Sequence, residues 1–192
     1  MSPILETERL ILRVPQQADF DAGWAEFHGD VECMRYLNGA MPRSIAWRTL
    51  AQVVGMWPLR GFGTFSIIEK ETGRWVGRSG PWEPEGWPAR EVGWMLHRSA
   101  WGKGYATEAA SAGIRFAFEE LGWPSVAHMI HPDNVGSQAV AQRIGSRMLE
   151  MVSLPPPMDA AGPTQMWGQS ADDWRAAQSS SSGAARSAAS KS

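Results

Sequence analysis

The segment that most constrains this chain is residues 101–110, which read WGKGYATEAA. It lies between a strand-like run, residues 91–97, and a run with the pattern of a helix. The first N–H groups of a helix have no partner within it, and glycine lets an anion approach such groups closely. The positive end of the helix dipole adds to the attraction. The segment therefore predicts a binding site for an anion, in the first instance a pyrophosphate.

The spacing of the glycines narrows the identity of that anion. A P-loop requires G-x-x-x-x-G-K-S/T, whereas Lys103 is followed here by Gly104. A dinucleotide-binding fingerprint requires a third glycine where this chain has Thr107. Gly104 and Ala106 instead match the coenzyme A signature Q/R-x-x-G-x-G/A of the GNAT N-acetyltransferases, although Trp101 replaces the usual Gln or Arg. The pattern therefore favours coenzyme A.

Other segments resemble the same family, in particular its branch of ribosomal-protein N-terminal acetyltransferases (the RimJ/RimL-like group). Residues 5–13, LETERLILR, resemble the first strand of that branch, and residues 91–96, EVGWML, resemble its fourth. Residues 133–137, DNVGS, with VAQRIG at 140–145, resemble its N-x-x-S motif and the following helix. The resemblance spans about residues 4–175. Several motifs in the family's order are specific, whereas any one alone would be weak.

Length and composition bound the class of protein. At 192 residues we expect one acetyltransferase domain, at residues 1–178. The Ser- and Ala-rich residues 179–192 are predicted to be a disordered tail, because they cannot bury enough apolar surface to become ordered. With 18 basic and 20 acidic side chains, the formal charge of −2 gives no basic surface for nucleic acid. We therefore expect no nucleic-acid partner.

The sequence also bears on location. No apolar run approaches the roughly 20 residues of a membrane-spanning helix, so no membrane partner is expected. Glu6, Glu8 and Arg9 interrupt the apolar core that a secretory signal peptide needs. The single cysteine, Cys33, excludes an internal disulfide, which suits a reducing compartment. We expect a cytoplasmic protein.

Hydrophobic periodicity predicts an α/β fold. Residues 106–121 carry one continuous apolar stripe typical of a helix. Ser44 is predicted to cap an earlier helix in which Trp47, Ala51 and Val54 share a face. The remaining helical patterns lie around residues 20–27 and 137–144, and the strand-like runs are residues 9–14, 62–70, 74–78, 91–97, 125–130, 147–154 and 164–168.

The order of these elements predicts a mixed sheet. A strand, a helix and a strand between residues 91 and 130 imply a parallel pair with a right-handed crossover. Residues 71–73 have the chemistry of a hairpin turn, which implies antiparallel strands elsewhere. The resemblance implies the GNAT version of this fold: a mostly antiparallel twisted sheet with flanking helices. It also implies a splayed parallel pair, the fourth and fifth strands, that forms a slot for the pantetheine arm of coenzyme A.

The predicted coenzyme site combines the glycine-rich segment with two other motifs. Backbone N–H groups of residues 102–106 are predicted to hold the pyrophosphate, while the Thr107 hydroxyl adds a donor and Lys103 a charge. The resemblance implies that the strand before this segment offers its backbone to pantetheine, and that Asn134 and Ser137 contact the arm. Helix capping is an alternative role for both. The predicted set is Trp94, Met95, Leu96, Trp101, Gly102, Lys103, Gly104, Tyr105, Ala106, Thr107, Asn134 and Ser137.

Acetylation of an amine requires a base, because most amines are protonated at pH 7. Glu91 is the predicted base, since it opens the strand beside the slot; a strand-end salt bridge is the alternative. Ser137 is predicted to assist the departing thiolate. Many members of the family use a tyrosine for that role, but the chain has only Tyr36 and Tyr105. On the acceptor side we expect Arg35, Arg43, Glu83, Glu85 and neighbouring tryptophans, although packing is the alternative role for the eleven tryptophans.

Metal and covalent routes have little support. His128 and His131 are three residues apart near a strand, which points them to opposite faces, so no metal site is predicted. Cys33 has no supporting histidine, so an acyl-cysteine route is not expected.

The leading hypothesis is an acetyl-CoA-dependent N-acetyltransferase in which a primary amine attacks the thioester directly in a ternary complex. The acceptor is a protein N-terminus or a small molecule, and a homodimer is an expectation from the family. A non-catalytic acyl-CoA-binding regulatory module and a nucleotide-binding α/β domain are the alternatives.

Overall fold

Eight strands form one mixed sheet in the computed structural model, which describes residues 3–179. Their order across the sheet is β1-β2-β3-β4-β5-β6-β8-β7, and β5 and β6 are the parallel pair among otherwise antiparallel neighbours in these residues. The strands are β1 (Ile4–Glu6), β2 (Leu10–Arg13), β3 (Phe65–Glu69), β4 (Trp75–Trp82), β5 (Glu91–Leu96), β6 (Ser125–Ile130), β7 (Arg147–Val152) and β8 (Thr164–Ser170). The predicted mixed, mostly antiparallel α/β sheet is confirmed.

Helices cover both faces of this sheet. One face carries α1 (Ala25–Gly29), which follows a π-helical turn at Phe20–Trp24, and α2 (Arg43–Arg60). The other face carries α3 (Tyr105–Glu119) and α4 (Val135–Arg143). A last helix, α5, spans residues 171–179. The predicted disordered tail, residues 179–192, lies outside the described residues except for residue 179.

Most predicted elements have the predicted type, with two corrections. The single first strand is two short strands, because the chain turns at Thr7. Its N–H donates to the Leu10 carbonyl and its hydroxyl oxygen accepts from the Leu10 N–H, both at 3.0 Å. Strand β4 continues through Trp82, beyond the predicted strand at residues 74–78, and its last residues pair with the start of β5. That longer pairing fixes the position of Glu91, which lies opposite Trp82.

Helix α2 requires a third correction. It begins at Arg43 after Pro42, so Ser44 is not its cap. The predicted apolar face faces solvent, and the buried face is a different one, formed by Ala46, Leu50, Val53 and Met56. The exposed residues are Trp47, Ala51 and Val54. Because the helix is apolar on both sides, its pattern did not specify which side packs on the sheet.

The parallel pair is splayed. Glu91 pairs with Ala127, and the Ala127 N–H donates to the Arg90 carbonyl at 2.8 Å, after which the register of the two strands ends. Helix α3 packs close beneath this region because Gly113 has no side chain: an added Cβ would lie 3.1 Å from Val92 and 3.2 Å from the Gly80 backbone. The sheet therefore opens into a V, as the family resemblance implied.

Candidate active site

A cleft of about 730 Å³ occupies the splay between β5 and β6. All of the residues predicted to bind coenzyme line it except Lys103, and both predicted catalytic residues, Glu91 and Ser137, also line it. The structure thus brings together the three motifs that lie far apart in the sequence. Its other lining residues come mainly from the segment 27–37, from β6 and from α4.

Residues 102–107, here called the cradle, form the open end of the cleft. Gly102 and Gly104 have φ of +74° and +80°, in the left-handed region that favours glycine. The first hydrogen bond of α3 runs from the Glu108 N–H to the Gly104 carbonyl, at 3.1 Å. In the described part of the chain, no residue accepts a hydrogen bond from the N–H groups of 102–107. The cradle therefore presents free donors at a helix N-terminus, the arrangement that binds a phosphate or pyrophosphate.

The turn between β1 and β2 holds the cradle in place. The carboxylate of Glu108 accepts hydrogen bonds from the Thr7 hydroxyl at 2.6 Å and from the Arg9 N–H at 2.9 Å. The Arg9 guanidinium also binds Glu108 and donates to the Lys103 carbonyl at 2.8 Å. Burial alone would raise the pKa of Glu108, but these hydrogen bonds outweigh it and lower that pKa. The segment around Thr7 therefore supports the coenzyme site, a link that the sequence did not reveal.

A second anchor lies on β3. The Tyr105 hydroxyl donates to the Glu69 carboxylate at 2.7 Å, and the Lys103 ammonium lies 3.3 Å from the same oxygen. Hydrogen bonds from Thr72, Tyr105 and Lys103 lower the pKa of Glu69 to about 2. Lys103 is therefore directed toward an internal carboxylate and not toward the cleft.

Strand β5 exposes one backbone position to the cleft. The Gly93 carbonyl and the His97 N–H are directed to β4, where they bond Ser79 and Val76. By the alternation of a strand, Val92, Trp94 and Leu96 direct their backbone groups toward the splay. The Val92 carbonyl accepts from His128 at 2.6 Å, and the Leu96 carbonyl accepts from the Trp101 indole at 2.8 Å. The third of these carbonyls, that of Trp94, accepts no side-chain hydrogen bond within residues 3–179, so it is available to a ligand.

Trp101, which replaces the Gln or Arg of the family signature, has a structural role in the loop. Its indole is half exposed, yet its N–H group ties the loop to the end of β5. It therefore fixes the loop with a side-chain hydrogen bond, and the nearby donors for an anion are the backbone groups of the cradle.

Helix α4 brings Asn134 and Ser137 to the opposite side of the cleft. The Asn134 side chain caps the helix by accepting from the Ser137 N–H at 3.1 Å. The predicted capping role is thus present, and both residues also line the cleft. The Ser137 hydroxyl accepts from the Trp94 indole at 3.3 Å, which leaves its own proton free to be donated.

Glu91 lies at the closed end of the cleft, where β5 and β6 meet. Its carboxyl accepts from the Trp87 indole at 2.7 Å and from the Met129 N–H at 3.3 Å. It lies over Gly93, where an added Cβ would be 3.2 Å from Oε1. Burial raises the pKa of Glu91 to about 7, although these hydrogen bonds and the nearby Arg78 charge oppose the shift. A carboxyl with a pKa near neutrality is suited to act as a general base.

The alternative role of Glu91, a surface salt bridge, is not what the structure shows. The side chain is 8% exposed and has no ion pair within 4 Å in the described residues. The tryptophan-rich loop 83–90 contributes here through Trp87, which holds the carboxyl in place. Many of the other tryptophans are buried packing residues, among them Trp24, Trp75, Trp123 and Trp167.

Several residues that line the cleft were not predicted from the sequence. Tyr36 lines it and donates through its hydroxyl to the Asp133 carbonyl at 3.1 Å, while its ring lies 5.1 Å from that of His131. Phe27 and Cys33 also line it. Cys33 and Tyr36 occupy an irregular segment without a motif, so periodicity gave no signal for them. Phe27 lies in α1, whose helical pattern gave no indication of a cleft.

Of the four charged residues predicted on the acceptor side, one lines the cleft and three do not. Arg35 lines the cleft, whereas Arg43, Glu83 and Glu85 do not. Arg43 pairs with Asp21, and the nearest cations to the two glutamates are Arg90 and Arg60, at 3.8 and 3.4 Å. Burial raises the pKa of Cys33 to about 11, so the thiol is a poor nucleophile, in line with the expectation from the sequence.

Within residues 3–179, no group of three or more His, Cys, Asp or Glu side chains is placed to hold a metal ion. No helix in the same range is long and apolar enough to cross a membrane.

Comparison with known proteins is consistent with this geometry. The family model for the acetyltransferase (GNAT) domain matches residues 9–147. The uncharacterized N-acetyltransferase p20 of Bacillus licheniformis is 33% identical over 137 residues, which cover 69% of this chain and 76% of that protein. The crystal structure of an acetyltransferase from Agrobacterium tumefaciens is 31% identical, with a TM-score of 0.76 over 87% of this chain and 94% of that one.

A more distant structure shares the fold alone. The ribosomal-protein-S5-alanine acetyltransferase of Vibrio fischeri is 18% identical, with a TM-score of 0.69 over 90% of this chain and 98% of that one. The family resemblance noted in the sequence is confirmed by the match of the domain model, which covers well over half of the chain. The chain therefore belongs to the GNAT acetyltransferase family, and it is an acyltransferase.

Proposed function

We propose that this protein is an acetyl-CoA-dependent N-acetyltransferase that acetylates a primary amine by direct attack in a ternary complex. One observation carries the proposal. The free N–H groups of the cradle lead along the open edge of β5 to the buried carboxyl of Glu91, within a single cleft. An anion site, a free strand edge and a base with a pKa of about 7 are the three parts that this reaction requires.

The donor occupies the cleft from its open end. The N–H groups of residues 102–107 bind the pyrophosphate of coenzyme A, since they are free and lie at the N-terminus of α3. The Lys103 ammonium group has no part in this contact, because it faces Glu69. The pantetheine arm follows β5, where the Trp94 carbonyl accepts from an amide of the arm and its N–H donates to the thioester oxygen. Asn134 retains its amide N–H group for the same arm.

Transfer joins the amine nitrogen to the acetyl carbon and breaks the carbon–sulfur bond. Glu91 accepts the proton that the amine loses and releases it to solvent afterwards. The Ser137 hydroxyl, whose oxygen accepts from Trp94, donates a hydrogen bond to the departing thiolate. It takes the role that a tyrosine has in many relatives, because Tyr105 is bonded to Glu69 and Tyr36 to the Asp133 carbonyl.

The acceptor reaches the thioester on the side of the sheet that carries α1 and α2. Glu91 and Gly93 alternate along β5 with Val92, which packs with α3, so the carboxyl lies on the face away from α3. A protein N-terminus or a small amine both fit this proposal. The name of the Vibrio fischeri structure, a ribosomal-protein-S5-alanine acetyltransferase, favours testing an N-terminal peptide first.

The experiment that tests the proposal has two stages. Calorimetry with acetyl-CoA, coenzyme A, ATP and NAD measures which ligand the purified protein binds. Release of free coenzyme A is then followed with a panel of N-terminal peptides, polyamines and aminoglycosides. We expect binding of acetyl-CoA and turnover with at least one amine.

Each other outcome has a definite meaning. Binding of acetyl-CoA without turnover on any amine would favour a non-catalytic acyl-CoA-binding module. Binding of a nucleotide in preference to coenzyme A would favour a nucleotide-binding domain. A cytoplasmic location and a homodimer belong to the proposal as expectations; light scattering of the purified protein tests the latter.

A further inference from the structure

A buried histidine lies at the point where β5 and β6 separate. His128 is 1% exposed and lines the cleft, and it is one residue beyond Ala127, which pairs with Glu91. It has no part in the transfer proposed above. Its position at the closed end of the V makes it a candidate for controlling what that end can hold.

Hydrogen bonds fix the imidazole in one tautomer and one place. Nδ1–H donates to the Val92 carbonyl at 2.6 Å, which leaves Nε2 to accept from the Ser146 hydroxyl at 2.9 Å. The Ser146 oxygen accepts in turn from Gln169 at 3.0 Å, and Gln169 also donates to the Ile144 carbonyl. Burial lowers the pKa of His128 to about 4, so the ring is neutral at physiological pH.

Packing holds the same ring against the donor side of the cleft. The Trp94 ring lies 4.9 Å from the imidazole, and the Trp94 indole donates to Ser137. The imidazole thus contacts β5 through Val92 and Trp94 and is held from behind by Ser146. A side chain restrained from several directions cannot move aside without breaking hydrogen bonds in a buried site, which is costly.

We propose that His128 is a specificity-determining residue: its imidazole fills the closed end of the cleft and restricts the donor to a short acyl group. The proposal rests on the proposed function, because a donor anchored at the cradle brings its thioester to the closed end of the cleft, which Glu91 lines from one face of the sheet and His128 from the other. A longer acyl chain would need the space that the imidazole fills. In such a pocket one methylene changes kcat/KM by roughly 10- to 200-fold.

The experiment compares acetyl-, propionyl- and butyryl-CoA on wild type and on the variants His128→Ala, His128→Leu and His131→Ala. In His128→Ala we expect the ratio of kcat/KM for butyryl-CoA to that for acetyl-CoA to rise about tenfold or more. In His128→Leu, which restores the bulk without the hydrogen bonds, the ratio should stay near that of wild type. His131→Ala is the matched control: it removes an imidazole that lines the same cleft but follows the last residue of β6 and points to the face opposite His128, and its ratio should not change.

Dissociation constants for the three acyl-CoAs, measured by calorimetry, give the same comparison without turnover. If His128→Ala does not fold, Ser146→Ala provides the test, because it frees Nε2 and should raise the ratio by a smaller factor. An unchanged ratio in folded His128→Ala, or in Ser146→Ala where His128→Ala does not fold, would overturn this inference alone, as would an equal rise in His131→Ala. Failure of the wild type to bind any acyl-CoA would overturn the proposed function and this inference with it.

Discussion

The two sides of the cleft are built in different ways. The donor side consists of β5, the cradle and the start of α3, and it presents backbone groups whose positions depend on glycines and on helix geometry. The acceptor side consists of side chains such as Phe27 of α1 and Arg35 and Tyr36 of the irregular segment after it, together with β6 residues. Backbone groups suit a donor that is common to the family, whereas side chains suit an acceptor that varies from one protein to another.

The supports of the two sides differ accordingly. The cradle is tied to the turn between β1 and β2 through Glu108 and to β3 through Glu69, and each carboxylate binds several partners. The segment 27–37 on the acceptor side is held across the cleft by Tyr36, which contacts the His131 ring and the Asp133 carbonyl. We therefore expect changes on the donor side to alter coenzyme affinity, and changes on the acceptor side to alter the KM for the amine.

Glu91 lies where the two sides meet, so its loss should give the largest effect. We expect Glu91→Gln to lower kcat about 10³-fold, within the range for loss of a general base, while the Kd for acetyl-CoA changes less than about threefold. Steady-state kinetics and calorimetry measure the two quantities. Glu83→Gln is the control, because Glu83 lies outside the cleft with Arg90 as its nearest cation, at 3.8 Å. Full activity in Glu91→Gln would rule out its role as the base.

The same carboxyl predicts a pH dependence. The base must be ionised, and burial places its pKa at about 7, so activity should rise with pH through that value. Between pH 8 and pH 5 the ionised fraction falls about 100-fold. The profile of kcat/KM should show this limb in wild type, and the limb should be absent in Glu91→Gln. A limb that persists in the variant would assign the titration to the amine or to another group.

The cradle provides the matching test of the donor side. Gly104→Val places a branched side chain at φ +80°, where its Cβ would lie 3.3 Å from the Arg9 guanidinium, beside the predicted pyrophosphate. Loss of charge-assisted hydrogen bonds of about 1.5–3 kcal/mol predicts a roughly 10- to 100-fold weaker Kd for acetyl-CoA. Gly61→Val is the control, since it carries the same backbone strain at φ +77° outside the cleft. Equal loss of affinity in both variants would mean that strain, and not the cradle, is responsible.

The donor side was the more predictable of the two because its information is local. The glycines at 102 and 104 and the helix after them lie in one short segment, and the strand before it carries Glu91 at its first position. The crossover between β5 and β6 follows from the order of elements alone. The Lys103 side chain shows the limit: its charge suggested a phosphate contact, but the ammonium group lies beside Glu69, 34 positions earlier in the sequence.

The acceptor side was less predictable because it depends on contacts between distant residues. Nothing near Tyr36 indicates that its hydroxyl bonds the Asp133 carbonyl, 97 positions away. The exposure of one apolar face of α2 and the contact of Trp87 with Glu91 likewise depend on how the folded chain packs. Residue type narrowed the candidates, but only the packing of the folded chain decides which candidate faces the cleft.

Ser137 tests whether the thiolate is stabilised from the side opposite β5. We expect Ser137→Ala to lower kcat about tenfold, because one hydrogen bond to a charged group is lost, while KM for acetyl-CoA stays nearly constant. The cap of α4 should survive, since the Ser137 N–H still donates to Asn134. Pre-steady-state kinetics measure the transfer step directly, and exposed Ser125→Ala serves as the control. Equal kcat in the two variants would leave thiolate stabilisation to the backbone.

The smallest expected effect belongs to the acceptor side. Tyr36→Phe keeps the ring against His131 but removes the hydrogen bond to the Asp133 carbonyl, which should loosen the segment that faces the amine. A neutral hydrogen bond of about 1 kcal/mol predicts a rise of roughly three- to fivefold in KM for the amine, with the Kd for acetyl-CoA unchanged. Steady-state kinetics at saturating acetyl-CoA measure the first quantity and calorimetry the second. A change in coenzyme affinity equal to the change in KM would show that the two sides of the cleft do not act separately, because Asp133 adjoins Asn134 on the coenzyme side.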